Sequence, residues 1–130
     1  ASDPLKLIGA ARDSKVARYL VVGGAGSLEV APGVRLVTTP GFPVAYKAEA
    51  EKGAAFLDLL RAEKELNWTF LSPSALFSAG ERTGRFRLGT DQLLTAADGK
   101  SWISFEDFAV ALADEIERPA HIRSRFTVGY

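Results

Sequence analysis

Two apolar runs that end in small residues constrain this chain more than any other feature. Arg18-Tyr19-Leu20-Val21-Val22 passes into Gly23-Gly24-Ala25-Gly26-Ser27, and Trp68-Thr69-Phe70-Leu71 passes into Ser72-Pro73-Ser74. Both runs are aliphatic, aromatic and β-branched, too continuous for half-exposed strands, so they read as strands buried on both faces. Strands of that kind belong to parallel sheets, and the helical pattern between them completes a strand, helix, strand unit. Such a unit places its ligand beyond the carboxyl ends of the strands, where small residues let it approach the backbone.

Composition narrows the function classes. A chain of 130 residues with 47% hydrophobic residues reads as a single domain, residues 1–130, with an ample core. Sixteen basic and sixteen acidic residues cancel, which leaves no electrostatic footprint for nucleic acid or an anionic membrane. No apolar run approaches the length of a membrane span and the first residues lack a signal peptide's pattern, so the expected location is cytoplasmic. Cysteine is absent and histidine occurs once, which argues against a metal site and against thiol chemistry. Methionine is also absent, even at the first position, as in a piece of something longer.

Along the chain, Ser2 or Asp3 can cap a helix opening at Pro4, with Leu5, Ile8 and Ala11 or Arg12 inward. The first strand is expected over residues 16–22. Pro32-Gly33, Pro40-Gly41 and Pro43 make residues 28–43 a loop over the strand ends, with room for a short strand at residues 34–37. A helix follows over about residues 45–65, with Tyr46, Ala50, Gly53, Leu57 and Leu60 as its stripe, and Ala50, Gly53 and Ala54 allowing close packing on a sheet. Phe86 and Leu88 alternate with Arg85 and Arg87, and the turn Gly89-Thr90-Asp91 suggests a small hairpin returning over residues 92–95. After a brief strand at Trp102-Ile103, Ser104-Phe105-Glu106-Asp107 approximates a capping box for a helix stopped by Pro119. Phe126, Val128 and Tyr130 alternate as a last strand.

Gly23-Gly24-Ala25-Gly26 after a strand invites a dinucleotide fingerprint, but Glu29 stands where its third small residue belongs and Pro32-Gly33 where a helix should begin. The segment reads instead as a glycine-lined wall facing a ring, or as a plain tight turn. Ser27 fails the nucleophile-elbow pattern, with Ala25 before it and Glu29 after. It suits a hydrogen bond to a ligand carbonyl or ring, or one within its own turn. Ser72-Pro73-Ser74 can contact a ligand or close the strand as a simple turn. Tyr46 opens the long helix with Ala50 four residues on and Lys47 adjacent; a neighbour on a helix points about 100° away, so Lys47 does not stand beside the phenol. Tyr46 thus reads as a proton donor or as a packed or surface tyrosine. His121 in a late loop reads as a surface residue.

Taken with Ala75-Leu76-Phe77, Gly80-Glu81-Arg82-Thr83-Gly84 and Ile103-Ser104-Phe105-Glu106-Asp107-Phe108-Ala109, these segments resemble the atypical short-chain dehydrogenases. Within that group the chain is similar to the NmrA-like, NADH-flavin reductase-like bacterial proteins. The resemblance implies an α/β fold, the C-terminal portion of a doubly wound parallel-sheet (Rossmann) domain with a small β-hairpin and helix extension on the substrate side. The glycine-rich N-terminal half would then be missing. It implies NAD(P)H as cofactor, with Gly23, Gly24, Ala25 and Gly26 beside the nicotinamide and Ser72, Pro73, Ser74 and Phe77 bordering it. Tyr46 falls at the family's catalytic tyrosine and Ser27 beside the same site, while Ala50 departs from the expected lysine.

The function expected is hydride transfer from NAD(P)H to a flavin, quinone or other small conjugated acceptor, with no metal, nucleic acid or membrane partner. The alternatives are a non-catalytic NAD(P)-binding redox-sensing regulator and a sugar-nucleotide epimerase or dehydratase-type enzyme. A first strand lacking an inner neighbour would have a bare edge, which favours a homodimer, aggregation or preceding residues.

Overall fold

The computed structural model of the protein describes residues 4–130. Its centre is β4 (Trp68–Pro73), whose six residues are all buried. It pairs in parallel with β1 (Tyr19–Val22) on one side and β8 (Ser124–Gly129) on the other. β6 (Arg87–Gly89) closes the far edge, antiparallel to β8, giving the order β1-β4-β8-β6. The expected parallel core is therefore present, and the amide of Gly23 continues the β1–β4 ladder by donating to the carbonyl of Leu71 at 2.9 Å. The turns after β1 and β4 lie side by side at one edge of the sheet, as the two apolar runs imply.

Alternation along the strands builds two cores. Trp68 and Phe70 face α1 (Pro4–Asp13) and α2 (Val44–Ala62), meeting Ile8, Leu57, Leu60 and Leu66. Leu71, Phe126 and Val128 face the other way, onto Phe108 and Ala111 of α3 (Phe105–Glu117) and Ile103 of β7 (Trp102–Ser104). The sheet thus carries helices on both faces, the doubly wound arrangement. β5 (Leu76–Ser78) pairs in parallel with β7, and β2 (Glu29–Ala31) pairs antiparallel with β3 (Val34–Arg35).

Several expectations shift. The first strand begins at Tyr19 rather than residue 16, after a turn that puts Lys15 at φ 55°. As the sheet's edge it is only partly buried, with Val22 54% exposed, so of the two apolar runs only the second, β4, is buried on both faces. Residues 28–43 are not an irregular loop. They fold as the β2–β3 hairpin, turned at Pro32-Gly33 with Gly33 at φ 74°, followed by a 3-10 turn over Leu36–Thr38. Residues 92–95 do not return beside β6, which pairs with β8 alone; Gln92 bridges to Glu29 instead. The last strand starts at Ser124, two residues before the alternation becomes visible. Leu5, expected inward, is 65% exposed, whereas Ile8 is buried. The proposed caps Ser2 and Asp3 lie outside the described residues.

The α2 stripe divides along its length. Ala54, Leu57 and Leu60 enter the core, but Tyr46 is 67% exposed and a β-carbon added at Gly53 would meet nothing. Gly53 therefore does not serve close packing on the sheet. At α3 the Ser104 hydroxyl does accept the Asp107 amide, as a cap should. The Asp107 carboxylate completes no capping box: it accepts the amides of Thr83 and Gly84 and the hydroxyls of Thr83 and Tyr130. Burial pushes this carboxyl up, but the hydrogen bonds from Tyr130, Thr83 and Gly84 outweigh it and hold the group below its ordinary value.

A carboxyl held low in the folded state adds stability above its unfolded value, about 3.9 for aspartate, and that stability is lost as pH falls toward the folded value. Tyr130→Phe should therefore destabilise the protein by about 1.5–3 kcal/mol at neutral pH. The gap from wild type should narrow below about pH 4. Denaturant unfolding across a pH series measures both.

Candidate functional site

A groove of about 1110 Å³ opens at the carboxyl end of β1, between the turn that follows it and the first half of α2. Val21, Gly23, Gly24, Ala25 and Gly26 form one wall, Tyr46 and Ala50 the other, and Leu36, Phe42 and Pro43 cover one end. Glu49 and Lys52 bring the only charged side chains to the described lining. The position follows from the topology, because ligands of open α/β sheets bind beyond the carboxyl ends of the strands.

The glycines of the wall have different tasks. A β-carbon on Gly23 would clash with the edge of the Phe70 ring, and one on Gly26 would come within 2.7 Å of the Ala50 β-carbon. Gly23 is small so that the core can close beneath it, and Gly26 so that α2 can approach the turn. A β-carbon on Gly24 would meet nothing within 4 Å. Gly24 is thus the position where bare backbone meets the groove, while a bulky side chain at Gly26 would act through the helix contact.

Tyr46 and the four residues 23–26 therefore meet in one groove, but the serines do not share it. Ser27 is buried, and its hydroxyl and carbonyl accept from Arg125 at 2.8 and 3.1 Å. The Ser72 hydroxyl accepts from the same guanidinium at 3.2 Å, and Ser74 donates to the Val128 carbonyl at 2.8 Å. Pro73 lies within β4, in register with Val128. Phe77 packs edge-on to Phe105 and against Phe108, away from the groove, and Ala75 and Leu76 take the place at the rim. His121 is tied to Glu115 by its Nδ1 at 2.8 Å and stacks on Phe126.

Arg125 is the residue that reading the sequence missed. It sits on β8 between Ser124 and Phe126, where the apolar alternation draws attention to the opposite face. The signal was present: a strand whose two faces are both covered must pair any arginine it carries. Burial pushes the guanidinium down from its ordinary value, and the hydrogen bond and charge of Asp91 oppose that shift.

Comparison with known proteins places the chain in a family. Residues 5–119 match the family described as NAD(P)H-binding. The chain belongs to that family. It is 46% identical over 125 residues to the uncharacterized protein YwnB of Bacillus subtilis (strain 168), covering 94% of this chain and 59% of that protein. A solved structure named as a candidate epimerase, from Bacteroides thetaiotaomicron, is 44% identical with a TM-score of 0.93 over 97% of this chain and 59% of its own. A candidate NADH-flavin reductase from Streptococcus pneumoniae TIGR4 is 41% identical with a TM-score of 0.88, over 97% and 64% of the two chains. The chain thus spans about three-fifths of the length of these relatives.

For the family's nicotinamide group, the residues present fit at one end. The open face of Gly24 and the apolar wall beside it leave a cradle that a side chain at residue 24 would enter. Among the described residues no glycine-rich turn leads into a helix N-terminus, where a pyrophosphate would sit. No group of three or more His, Cys, Asp or Glu residues among them suits a metal ion, and no helix among them is long and apolar enough to cross a membrane.

Gly23→Ala should lower stability by about 1–3 kcal/mol through overpacking against Phe70, while Gly24→Ala should stay within about 0.5 kcal/mol of wild type. Thermal melting of the two variants side by side checks the division of labour.

Proposed function

We propose that the chain serves an NAD(P)H-dependent oxidoreductase that passes hydride to a flavin, quinone or similar conjugated acceptor. The observation that carries this reading is the bare backbone face of Gly24, opening onto an apolar groove at the carboxyl end of β1 in a chain of the NAD(P)H-binding family. When bound, the nicotinamide supplies the hydride. The residues of the chain supply position: residues 23–26 form a flat wall, and Tyr46 presents its phenol from the first turn of α2. The ends of β4 and β5 border the groove through Ala75 and Leu76, with Ser72, Pro73, Ser74 and Phe77 holding that border in shape.

With alanine at residue 50, no lysine stands one helical turn from Tyr46. Alcohol or sugar chemistry, which needs a relayed proton, is therefore disfavoured, and with it the epimerase-type alternative. A conjugated acceptor takes its proton from water, so alignment of two rings suffices. The same lack of a relay, with the Ser27 hydroxyl already engaged by Arg125, also suits a non-catalytic NAD(P)-binding regulator.

The intact protein should oxidise NADH or NADPH steadily when given a flavin or quinone, followed by the absorbance of the reduced nicotinamide. Tyr46→Phe should cost less than about tenfold in turnover, against the 10²–10⁴-fold expected of an essential general acid. Gly24→Val should raise KM for NAD(P)H. Tight binding without oxidation would favour the regulator, and failure to bind would defeat both readings.

A further inference from the structure

We infer that Arg125 is a positioning residue for the site, fixing the glycine wall of the groove through a single buried guanidinium. Its side chain is 1% exposed. Nη1 donates to the hydroxyls of Ser27 and Ser72 at 2.8 and 3.2 Å, and Nη2 to the carbonyls of Ser27 and Asp91 at 3.1 and 3.5 Å. Nε donates to Asp91 Oδ1 at 3.1 Å. A guanidinium has five N–H donors in a fixed fork, and here each has an acceptor.

The acceptors come from three separate parts of the chain: the turn after β1, the end of β4 and the turn after β6. Ser27 immediately follows the groove wall, so the fork holds the wall's trailing end at both its side-chain and main-chain oxygens. The same junction is sewn to the 3-10 turn after the hairpin, since Gly26 and Leu28 accept the amides of Val37 and Leu36, and Glu29 donates its amide to Asp91 at 2.7 Å. Arg61, in the last turn of α2, reaches the same Asp91 Oδ1 at 2.6 Å, which ties in the helix whose first half forms the opposite wall. Arg125 thus stands where the segments that border the groove converge.

Stability alone does not account for an arginine at this place. A buried cation paired with one carboxylate, itself 43% exposed, gives little net stabilisation compared with an apolar side chain of similar size. The opposite face of β8 is filled by Phe126 and Val128. What an apolar side chain could not provide is five directed bonds to three segments. Each hydroxyl that accepts from the cation also keeps its own proton to donate.

The inference rests on the proposed function only where cofactor binding is read, so the test has a second arm. In the intact protein, Arg125→Lys keeps the charge but loses the fork, and hydrogen exchange should show the amides of residues 23–28 opening about tenfold faster or more. The amides of β4 and α3 should be unchanged, as should all of these in the surface control Arg118→Lys. In the same variant KM for NAD(P)H should rise more than kcat falls. Should Arg125→Lys not fold, Asp91→Asn, which weakens the contacts of Oδ1 with Arg125 Nε and Arg61 and leaves the Nη bonds to Ser27 and Ser72 in place, should loosen the same residues to a smaller degree. Unchanged exchange at residues 23–28, or equal acceleration throughout the sheet, would overturn the inference. Equal loss of kcat with KM unmoved would reduce Arg125 to a structural part and overturn it as well. If wild-type protein binds no NAD(P)H, the function fails, and the exchange experiment still decides the role of Arg125.

Discussion

Everything in this fold is arranged around a strand that has no access to water. β4 is buried along all six residues, so its amides and carbonyls must be satisfied by neighbours on both edges. β1 and β8 do this in parallel, and parallel partners require long crossovers, which α2 and α3 provide on opposite faces. The turns at the carboxyl ends then have to cross close to one another, which is why the chain uses its smallest residues there. The groove follows from the burial of β4.

The second face of β8 shows how the chain manages polarity where no helix covers the sheet. Arg125 and Thr127 point away from Phe126 and Val128: Arg125 meets Ser27 and Asp91, and Thr127 donates to the Ser72 carbonyl. A similar logic fastens both ends of α3. Near its first turn buried Asp107 accepts the amides of Thr83 and Gly84, and near its last turn buried Glu115 accepts those of Ala120 and His121. Arg18 completes the second cluster at 3.1 Å. Carboxylates near a helix start are favoured by the dipole; Glu115, near the helix end, leans on Arg18 and His121 instead.

The sequence made the backbone of this architecture legible and left its polar joints hidden. Continuous apolar runs and small residues identified β1, β4 and their crossover because burial dictates composition directly. The cap at Ser104 was visible for the same reason: one hydroxyl serves one local amide. The partner of β6 was not, since Gly89-Thr90-Asp91 looks like a hairpin turn whether or not the returning segment finds a free edge. β2 was hidden among prolines and glycines that normally exclude strands. Within the candidate site, residues 23–26 and Tyr46, which border one groove, stand out by local pattern, whereas the engagement of Ser27 depends on Arg125, 98 positions away. Only folding brings those two together.

The contact between Gly26 and Ala50 ties two distant positions into one unit of change. With the Ala50 β-carbon facing the turn and bordering the groove, a longer side chain at residue 50 must either push the turn aside or lie within the groove itself. A lineage that placed lysine there to serve Tyr46 would have either to give up groove space to its side chain or to rebuild the wall opposite in the same step. Residue sizes at 26 and 50 should therefore vary in concert, and a change of chemistry in this groove would be recorded as a paired substitution.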